Sequence, residues 1–457
     1  MDVNSIEKKN IVVIGAGISG LLSALALSKN GHTVTVLEAT DRVGGMCQSY
    51  NVGDYKVDTG PHIITRLGDG PLKELMDAYF DSVPIFVHHG EYMIRSESKV
   101  RGFPWTLRSF ALFDMLPKKD RLYILQTLIS LYSQRSIGLL DVDVSVSSII
   151  DKKNLDQSTV HFLDVLCRFM TGMGVDRTPI ARFFDSQDYK NYKDSKEPLD
   201  YFNGIKNLIM KKGATDQHYP KGGIQSIIEC ITSSMKGLDV DIRLSTAAVR
   251  IIEEDGTVKG VMTEKEILPA DIVVYSSYST ELPELMPDLP NDYKNRLEGL
   301  EKVLSLTLWL GLDKALFGTD CSEIWIGCDI PCWVVPVTNY DPSLAPNGHQ
   351  LVGITTNISE DCDIEAYKER LYGVVCARID GLEKHVMMKH WQVLVPEKAA
   401  WTVGQEMPSC YTPVEGLYLV GTDTVRRSMG ITRASYSVLN LLDALHENGL
   451  VKKARKS

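Results

Sequence analysis

The chain has 457 residues, of which 44% are hydrophobic and 24% are charged, so it is long enough for two or three domains and apolar enough to bury a substantial core. Its formal net charge of −10 argues against a general nucleic-acid-binding protein, which would carry a basic surface. All apolar runs are shorter than the ~18 residues that a membrane-spanning helix needs.

The cysteines and the first residues bear on the cellular compartment. The nine cysteines form no Cys-x-x-Cys pair, which is typical of a reducing environment. Cys321, Cys328 and Cys332 are close in sequence but match no common metal-site spacing, so no metal is predicted. The polar residues 1–4 do not resemble a signal peptide. We therefore expect a cytoplasmic protein.

The first elements along the chain predict a phosphate-binding turn. The apolar, β-branched run at residues 11–14 is typical of a buried parallel strand, and the stretch at residues 21–29 predicts a helix. Between them lies a G-x-G-x-x-G turn made of Gly15, Ala16, Gly17, Ile18, Ser19 and Gly20. Its glycines permit a tight turn, the approach of a pyrophosphate and close packing of helix on strand, and the helix N-terminus attracts negative charge.

The second predicted strand completes a dinucleotide site. Residues 33–37 have the composition of a strand and end at Glu38, which Ala39 follows. A carboxylate at this position accepts hydrogen bonds from both hydroxyls of an adenosine ribose, which favours a ribose without a phosphate. Because NAD and FAD share this opening unit, the choice between them depends on the residues that follow.

Those residues favour FAD. The segment 41–46 supplies Arg42, Gly44, Gly45 and Met46. It resembles the R-x-G-G element of FAD proteins in the superfamily of amine oxidases, phytoene desaturases and protoporphyrinogen oxidases, where this element contacts the FAD pyrophosphate. The Arg42 guanidinium can bind phosphate oxygens, and the paired glycines leave room for the cofactor.

Two stretches further along extend the resemblance. The segment 57–62 ends in Gly60, Pro61 and His62. It is similar to the D-x-G-P-H segment with which carotenoid-desaturase-like members approach the flavin ring. Residues 219–223 resemble their Y-P-x-G-G element, which precedes a helix and a second cofactor-binding stretch. The resemblance implies that Val249 in that second stretch lies against the adenine through its backbone.

The last matching stretch is a predicted buried strand that runs into Gly421. Relatives place a flavin-binding turn here, and many carry an acid directly after the glycine. This chain has Thr422 at that position and Asp423 one residue later, so the resemblance leaves the role of Asp423 open.

A predicted helix at residues 433–445 follows Gly430 and Ile431. The resemblance implies that Gly430 and Ile431 contact the cofactor and that the helix N-terminus points towards the pyrimidine end of the flavin. A helix dipole in that direction would stabilise the reduced, anionic flavin.

The positions of these motifs predict a discontinuous domain. We expect an α/β fold with a Rossmann-like FAD-binding domain of the glutathione-reductase type, assembled from residues 1–70, 215–275 and 405–457. Residues 71–214 and 276–404 would form an α+β substrate-binding domain. Its first part is helix-rich by periodicity, and its second part has more strand-like runs.

His62 and Arg66 are the polar residues that we expect nearest to the flavin and the substrate. His62 could move a proton near neutral pH or simply hold its turn by a hydrogen bond, and Arg66 could bind an anionic group or a negatively charged flavin edge. The flavin itself transfers the electrons, so no acid–base triad is required. The chain lacks the G-x-S-x-G, Walker and H-E-x-x-H motifs of the main hydrolase, phosphate-transfer and metalloprotease classes.

The resemblance therefore implies an FAD-dependent oxidoreductase. Its desaturase-like elements favour a dehydrogenase or desaturase that passes hydride to flavin N5 from a hydrophobic substrate, such as an isoprenoid or a porphyrinogen, with an electron acceptor left open. One alternative is a flavin amine oxidase, in which Trp401, Tyr411 and Tyr418 could face the flavin, and another is a redox-neutral flavin isomerase or mutase. An escort protein like the GDP-dissociation inhibitors would have lost the FAD motifs, which this chain retains.

A basic and apolar stretch at residues 103–131 leaves two interpretations open. It contains Arg108, Lys118, Lys119 and Arg121 among aromatic and aliphatic residues. Such a stretch is typical of a peripheral membrane contact that dips into lipid headgroups. Amphipathic helices that pack on their own domain have the same pattern.

Overall fold

The computed structural model describes residues 6–97, 99–136, 139–150, 154–185, 217–318 and 321–452. The polar residues 1–4, the end of the predicted helix-rich part (residues 186–214) and the first two residues of the predicted FAD-binding segment 215–275 lie outside the described residues. In chain order the strands are β1 (Asn10–Ile14), β2 (Thr33–Leu37), β3 (Ser49–Val52), β4 (Tyr55–Asp58), β5 (Phe86–Gly90), β6 (Met93–Arg95), β7 (Val100–Gly102), β8 (Gln217–Pro220), β9 (Val240–Arg243), β10 (Ala248–Glu254), β11 (Thr257–Thr263), β12 (Ile267–Pro269), β13 (Ile272–Tyr275), β14 (Val303–Leu312), β15 (Glu323–Trp325), β16 (Cys332–Val335), β17 (Gln350–Ile358), β18 (Val386–Glu397) and β19 (Leu417–Leu419). The α-helices are α1 (Ile18–Lys29), α2 (Pro71–Tyr79), α3 (Leu107–Ala111), α4 (Lys118–Ser136), α5 (Val146–Ile149), α6 (Gln157–Thr171), α7 (Ala181–Asp185), α8 (Gln225–Ser234), α9 (Leu282–Leu285), α10 (Asn291–Glu298), α11 (Ile364–Arg378) and α12 (Gly430–Glu447).

A five-stranded parallel sheet forms the cofactor side of the molecule. Its order is β19-β13-β1-β2-β9, so it joins strands from the beginning, the middle and the end of the chain. Helices α1 and α12 bury Leu25 and Val438 against one face of this sheet, as expected for parallel strands that are covered on both sides. The predicted α/β fold with a discontinuous Rossmann-like unit is confirmed. Strands β10, β11 and β12 form a separate antiparallel sheet.

Two helices begin earlier than the sequence predicts. Helix α1 begins at Ile18, because Gly20 belongs to its first turn and only a glycine fits against the carbonyl oxygen of Gly15. Helix α12 begins at Gly430, where the Glu397 side chain accepts a hydrogen bond from the Gly430 backbone nitrogen. A cap supplied by a distant strand leaves no local sequence signal.

The substrate side is built on a seven-stranded mixed sheet. Its order is β18-β14-β17-β16-β15-β6-β7, so β6 and β7 from the first predicted substrate segment join strands from the second. Helices α4 and α6 pack beside it in one apolar cluster that includes Leu131, Phe162 and Ile324. No helix in the described ranges is both long enough and apolar enough to cross a membrane.

The packing crosses one of the predicted domain limits. Helices α9 and α10 follow residue 276 but pack on the cofactor sheet, where Leu282 and Leu297 share an apolar cluster with Val12 and Val273. The domain limits remain predictions, and the apolar faces of α9 and α10 favour a later boundary than residue 276.

Candidate active site

The glycine turn lies between β1 and α1, at the carboxyl end of the parallel sheet. Gly15 closes the turn by donating to the carbonyl oxygen of Leu37 over 2.8 Å. A side chain added at Gly20 would overlap Gly15, whereas one added at Gly17 would meet nothing within 4 Å. The backbone at Gly17 is therefore open to a ligand at the N-terminus of α1, as a bound pyrophosphate requires.

Glu38 lies beside this turn at the end of β2. Its Oε2 accepts a hydrogen bond from the Ala16 nitrogen over 2.9 Å, and its Oε1 accepts from the nitrogen and the hydroxyl of Thr40 over 2.9 and 2.8 Å. Ala39, between them, is exposed. The carboxylate thus fixes the turn and stands where the sequence predicts the ribose.

The predicted R-x-G-G element packs directly on the glycine turn. Gly44 donates to the carbonyl oxygen of Ala16 over 2.8 Å. A side chain added at Gly45 would lie 3.1 Å from the Cα of Gly17, so the two backbones need glycine to approach this closely. The Arg42 side chain is 61% exposed and is available to a phosphate beside the turn.

Val249 lies outside the cavity, on β10. The segment that leads into β10 starts next to Glu38, the residue predicted to bind the ribose. There the Thr246 nitrogen donates to the Glu38 carbonyl oxygen over 2.8 Å. A register shift between Ala248 and Arg250 leaves Val249 outside the regular pairing with β11. Its backbone contact with adenine remains a prediction.

The turn after β19 places Thr422 and Asp423 in different surroundings. Asp423 is buried, and its Oδ2 accepts from the Ser279 nitrogen over 2.8 Å, whereas Thr422 lines the cavity. Among the described residues, Asp423 Oδ1 and the Ser276 hydroxyl are buried without a hydrogen-bond partner. Ser276 also touches the positions of Gly15 and Gly20. Such unpaired polar atoms beside the glycine turn fit a cofactor that supplies hydroxyls and phosphate oxygens.

Asp58 connects the D-x-G-P-H and Y-P-x-G-G elements. Its buried carboxylate accepts from the Ser49 hydroxyl over 2.6 Å, from the Tyr219 hydroxyl over 2.7 Å and from the Ile224 nitrogen over 3.1 Å. Burial raises the pKa of Asp58, and His62 and these hydrogen bonds oppose that rise. Two elements far apart in sequence therefore form one support under the cavity.

His62 and Arg66 both line the cavity. The Nε2 atom of His62 lies 3.1 Å from the carbonyl oxygen of Thr59, a contact that holds the turn. Burial lowers the pKa of His62, although the nearby Asp58 opposes the change, so the ring is neutral near pH 7. Arg66 has a positive φ of 62°.

A cavity of about 760 Å³ extends from the predicted flavin residues into the helix-rich part. The predicted site residues that line it are Ile18, Met46, Gly60, Pro61, His62, Arg66, Thr422, Gly430 and Ile431. Ser19, Gly20, Gly421 and Asp423 do not line it. The far wall is mainly apolar and includes Leu107, Ile124, Leu128, Leu131 and Ile150.

An aromatic cluster forms part of the cavity wall. The ring centroid of Tyr92 lies 5.5 Å from that of Phe169 and 6.1 Å from that of Trp105. The ring centroids of Phe169 and Trp333 are 5.8 Å apart. The aromatic residues predicted for an amine oxidase are elsewhere: among the residues that the structure describes, Trp401, Tyr411 and Tyr418 do not line the cavity. Tyr411 is exposed and packs on Tyr418 instead.

Sequence reasoning missed three residues on and just after β18. Gln392 holds the backbone of Gly60, Glu397 caps α12, and Lys398 donates to the carbonyl oxygens of Ser276 and Ser277 over 2.6 and 2.7 Å. Glu397 and Lys398 are adjacent charged residues in an otherwise apolar segment. This pattern was the sequence feature that could have indicated a functional role for them.

The parallel sheet, the open glycine turn and the R-x-G-G contact define a dinucleotide-binding flavoprotein. A family model described as flavin containing amine oxidoreductase matches residues 18–428. The chain belongs to this family. It is an FAD-dependent oxidoreductase of the amine oxidase superfamily, and the predicted cofactor is confirmed.

The chain is similar to three known proteins. It is 26% identical over 294 residues to a 1-hydroxycarotenoid 3,4-desaturase from Flavobacterium sp. (strain P99-3), covering 58% of this chain and 56% of the relative. It is 25% identical over 279 residues to a coproporphyrinogen III oxidase from Staphylococcus aureus, covering 56% and 58%. The matches thus span little more than half the length of these curated relatives. The fold resembles an oxidoreductase from Methanosarcina mazei with a TM-score of 0.78 and 21% identity over 95% of this chain and 100% of the other.

Proposed function

We propose that the protein is an FAD-dependent dehydrogenase or desaturase that acts on a hydrophobic small molecule such as an isoprenoid or a porphyrinogen. The observation that carries this proposal is the cavity, whose apolar and aromatic wall runs up to Gly60, Pro61 and Thr422. Bound FAD would accept the hydride of a substrate C–H bond at N5. The names of the desaturase and porphyrinogen oxidase relatives give two substrate classes of this kind.

The chain's own residues would position the substrate and exclude water. Leu128, Phe169 and Trp333 supply apolar surface that binds a hydrophobic molecule and keeps solvent from the reacting bond. Gln392 holds the Gly60 backbone at the cofactor end of the cavity. The neutral His62 supports the same turn, and Arg66 offers a positive charge to an anionic group of the substrate or to the flavin edge.

The alternatives have less support. For a flavin amine oxidase, the aromatic residues that the sequence suggested, Trp401, Tyr411 and Tyr418, do not line the cavity. A redox-neutral isomerase or mutase would use the same cavity and would first need reduced FAD. The escort interpretation conflicts with the retained glycine turn and R-x-G-G contact.

Anaerobic bleaching of the flavin absorbance tests the proposal. The FAD-loaded protein would be mixed in turn with a linear polyisoprenoid, a porphyrinogen, a polyamine and NADPH. Bleaching by the isoprenoid or the porphyrinogen is expected. Bleaching by the polyamine would instead establish an amine oxidase, and bleaching by NADPH alone would point to a reductase or a mutase.

We also propose a cytoplasmic location with peripheral membrane contact. Helices α3 and α4 bear Leu122 and Ile129, each about half exposed, together with exposed Arg108, Lys118 and Lys119. Apolar side chains flanked by basic residues suit an anionic lipid surface. Sedimentation with vesicles should show binding that requires anionic lipid, and no binding to any vesicle would contradict the proposal.

A further inference from the structure

Two cysteine thiols lie side by side where the substrate sheet meets the cavity. Cys332 begins β16 and lines the cavity, and Cys328 lies in the loop that joins β15 to β16. The two thiols interact directly with each other. The Cys328 sulfur also lies 3.1 Å from the carbonyl oxygen of Ile330, so this thiol is turned back into its own loop.

The loop that carries Cys328 is held by neighbouring elements at both of its ends. At its start, the Ile326 nitrogen donates to the carbonyl oxygen of Arg95 over 2.9 Å, and His161 Nε2 lies 2.8 Å from the Ile326 carbonyl oxygen. At its end, the Thr356 hydroxyl donates to the carbonyl oxygen of Pro331 over 2.8 Å. These contacts keep the two sulfur atoms adjacent, which favours a reaction between them.

The two thiols have different surroundings. Arg378, the last residue of α11, donates to the carbonyl oxygen of Gly327 and also acts on the Cys328 sulfur. The contact with Cys332 and the Arg378 guanidinium lower the pKa of Cys328, although burial and Asp329 oppose the change. The contact with Cys328 and burial raise the pKa of Cys332 well above its usual value. Cys328 is therefore the better nucleophile of the two, and Cys332 stays protonated.

Three other partly exposed cysteines lack this combination. Burial raises the pKa values of Cys230, Cys362 and Cys376. Such thiols are protonated at neutral pH and react slowly with oxidants. Cys328 is partly exposed, is favoured as a thiolate and has a second thiol beside it, which is typical of a cysteine that oxidants modify reversibly.

We propose that hydrogen peroxide oxidises Cys328 and Cys332 to an intramolecular disulfide in the wall of the cavity. The Cys328 thiolate attacks one peroxide oxygen, the O–O bond breaks, and the departing hydroxide takes up a proton and leaves as water. The Cys332 sulfur then attacks the sulfur of the Cys328 sulfenic acid. The S–O bond breaks, and the hydroxide leaves with the Cys332 proton as a second water. The two thiols lose two electrons, and the peroxide gains them.

The disulfide is a reversible modification that goes beyond the proposed function and does not depend on it. In a reducing compartment such a bond is transient, because cellular dithiols reduce it. Pro331 and Trp333, on either side of Cys332, also line the cavity. The bond would therefore form within the surface that the proposed function assigns to a hydrophobic substrate.

Peptide mapping of the wild-type protein tests the proposal without a variant or a substrate. The protein would be treated with hydrogen peroxide, its remaining thiols alkylated, and the chain cleaved before aspartate without a reductant. Cleavage before Asp320 and Asp329 separates residues 320–328 from residues 329–340. These two peptides should remain joined after peroxide treatment and should come apart in dithiothreitol. Their separation at every peroxide concentration would overturn the proposal.

Two single variants test the order of the two steps. In Cys332→Ser the Cys328 sulfenic acid has no thiol to attack it, so its labelling by dimedone should exceed that of the wild type at least about tenfold. In Cys328→Ser, Cys332 should remain unlabelled. Equal labelling of Cys328 and Cys332 in these variants would overturn the assigned roles.

The matched control is Cys321→Ser. Cys321 lies on the same peptide as Cys328, so its removal shows which of the two is joined to Cys332. The control should form the disulfide as the wild type does, and loss of the bond in Cys321→Ser would overturn the proposal. Because peroxide is added directly, a wrong substrate class would leave these results unchanged and would fail only in the bleaching test.

Discussion

The side-chain oxygen of Gln392 accepts a hydrogen bond from the Gly60 nitrogen over 2.9 Å. The same oxygen accepts from Trp309 Nε1 over 3.1 Å. The Gln392 amide nitrogen donates to the Asp58 carbonyl oxygen over 2.8 Å and to the Tyr50 hydroxyl over 2.7 Å. One buried side chain of the substrate sheet therefore fixes the turn that the proposed function places against the flavin.

Substitution Gln392→Met tests this connection. Methionine has a similar length but leaves the Gly60 and Trp309 N–H groups without their acceptor, so the free energy of unfolding should fall by about 2–4 kcal/mol. Urea denaturation measures the loss. The control Gln126→Met on the exposed face of α4 should have no measurable effect. Equal stability of the two variants would show that the Gln392 bonds are dispensable.

Two glycines of the glycine turn, Gly17 and Gly20, should respond differently to substitution by alanine: one in FAD affinity and the other in stability. Gly17→Ala should leave the apoprotein stable, because its new methyl group meets nothing in the protein, but should weaken FAD binding at least about tenfold, or ~1.4 kcal/mol. Gly20→Ala should destabilise the apoprotein by about 3 kcal/mol, because the methyl group overlaps Gly15. Thermal denaturation without FAD and titration with FAD separate the effects. Unchanged FAD affinity in Gly17→Ala would contradict the predicted position of the pyrophosphate.

The cavity predicts different effects for adjacent residues of α4. Leu128 lines the cavity, whereas Ile129 is 50% exposed. Leu128→Trp should fill part of the substrate space and raise the KM for a hydrophobic substrate at least about tenfold, equivalent to ~1.4 kcal/mol. The flavin spectrum should stay unchanged. Ile129→Trp should behave as the wild type, and an equal KM for both variants would place the substrate elsewhere.

The pH dependence of stability should report on His390. Its Nε2 lies 2.8 Å from the Tyr50 hydroxyl, and burial lowers the pKa of His390. The native state therefore disfavours the protonated ring: the His390 contribution is fully present above the ordinary pKa of about 6.5 and is lost as the pH falls through the lower native pKa. His390→Gln should flatten the decline of the unfolding free energy below about pH 6.5. The same decline in urea denaturation of both proteins would refute this.

The sequence predicts those parts of the site whose conformation is determined by residues close together in the chain. The glycine turn and the R-x-G-G element need particular backbone conformations, and these restrict residue type at fixed spacing. Glu38 can be predicted because it comes directly after a strand that the sequence itself indicates. The three-part assembly of the parallel sheet could also be predicted, because each segment carries its own motif.

The remaining parts depend on long-range pairing. Gln392 reaches Gly60 because β18 pairs with β14 in a register that places it opposite Thr307. Nothing near Gln392 in sequence specifies this register. Glu397 caps α12 from the same strand, which is why the predicted helix began too late. The packing of α9 on the cofactor sheet likewise depends on a surface formed by distant strands.

Titration of the apoprotein with FAD, followed by visible absorbance, tests most directly whether three separated segments build one cofactor site. Saturation at one FAD per chain, with a flavin band shifted from that of free FAD, is the predicted result. A protein that is folded by circular dichroism but leaves the FAD spectrum unchanged at every concentration would contradict the account.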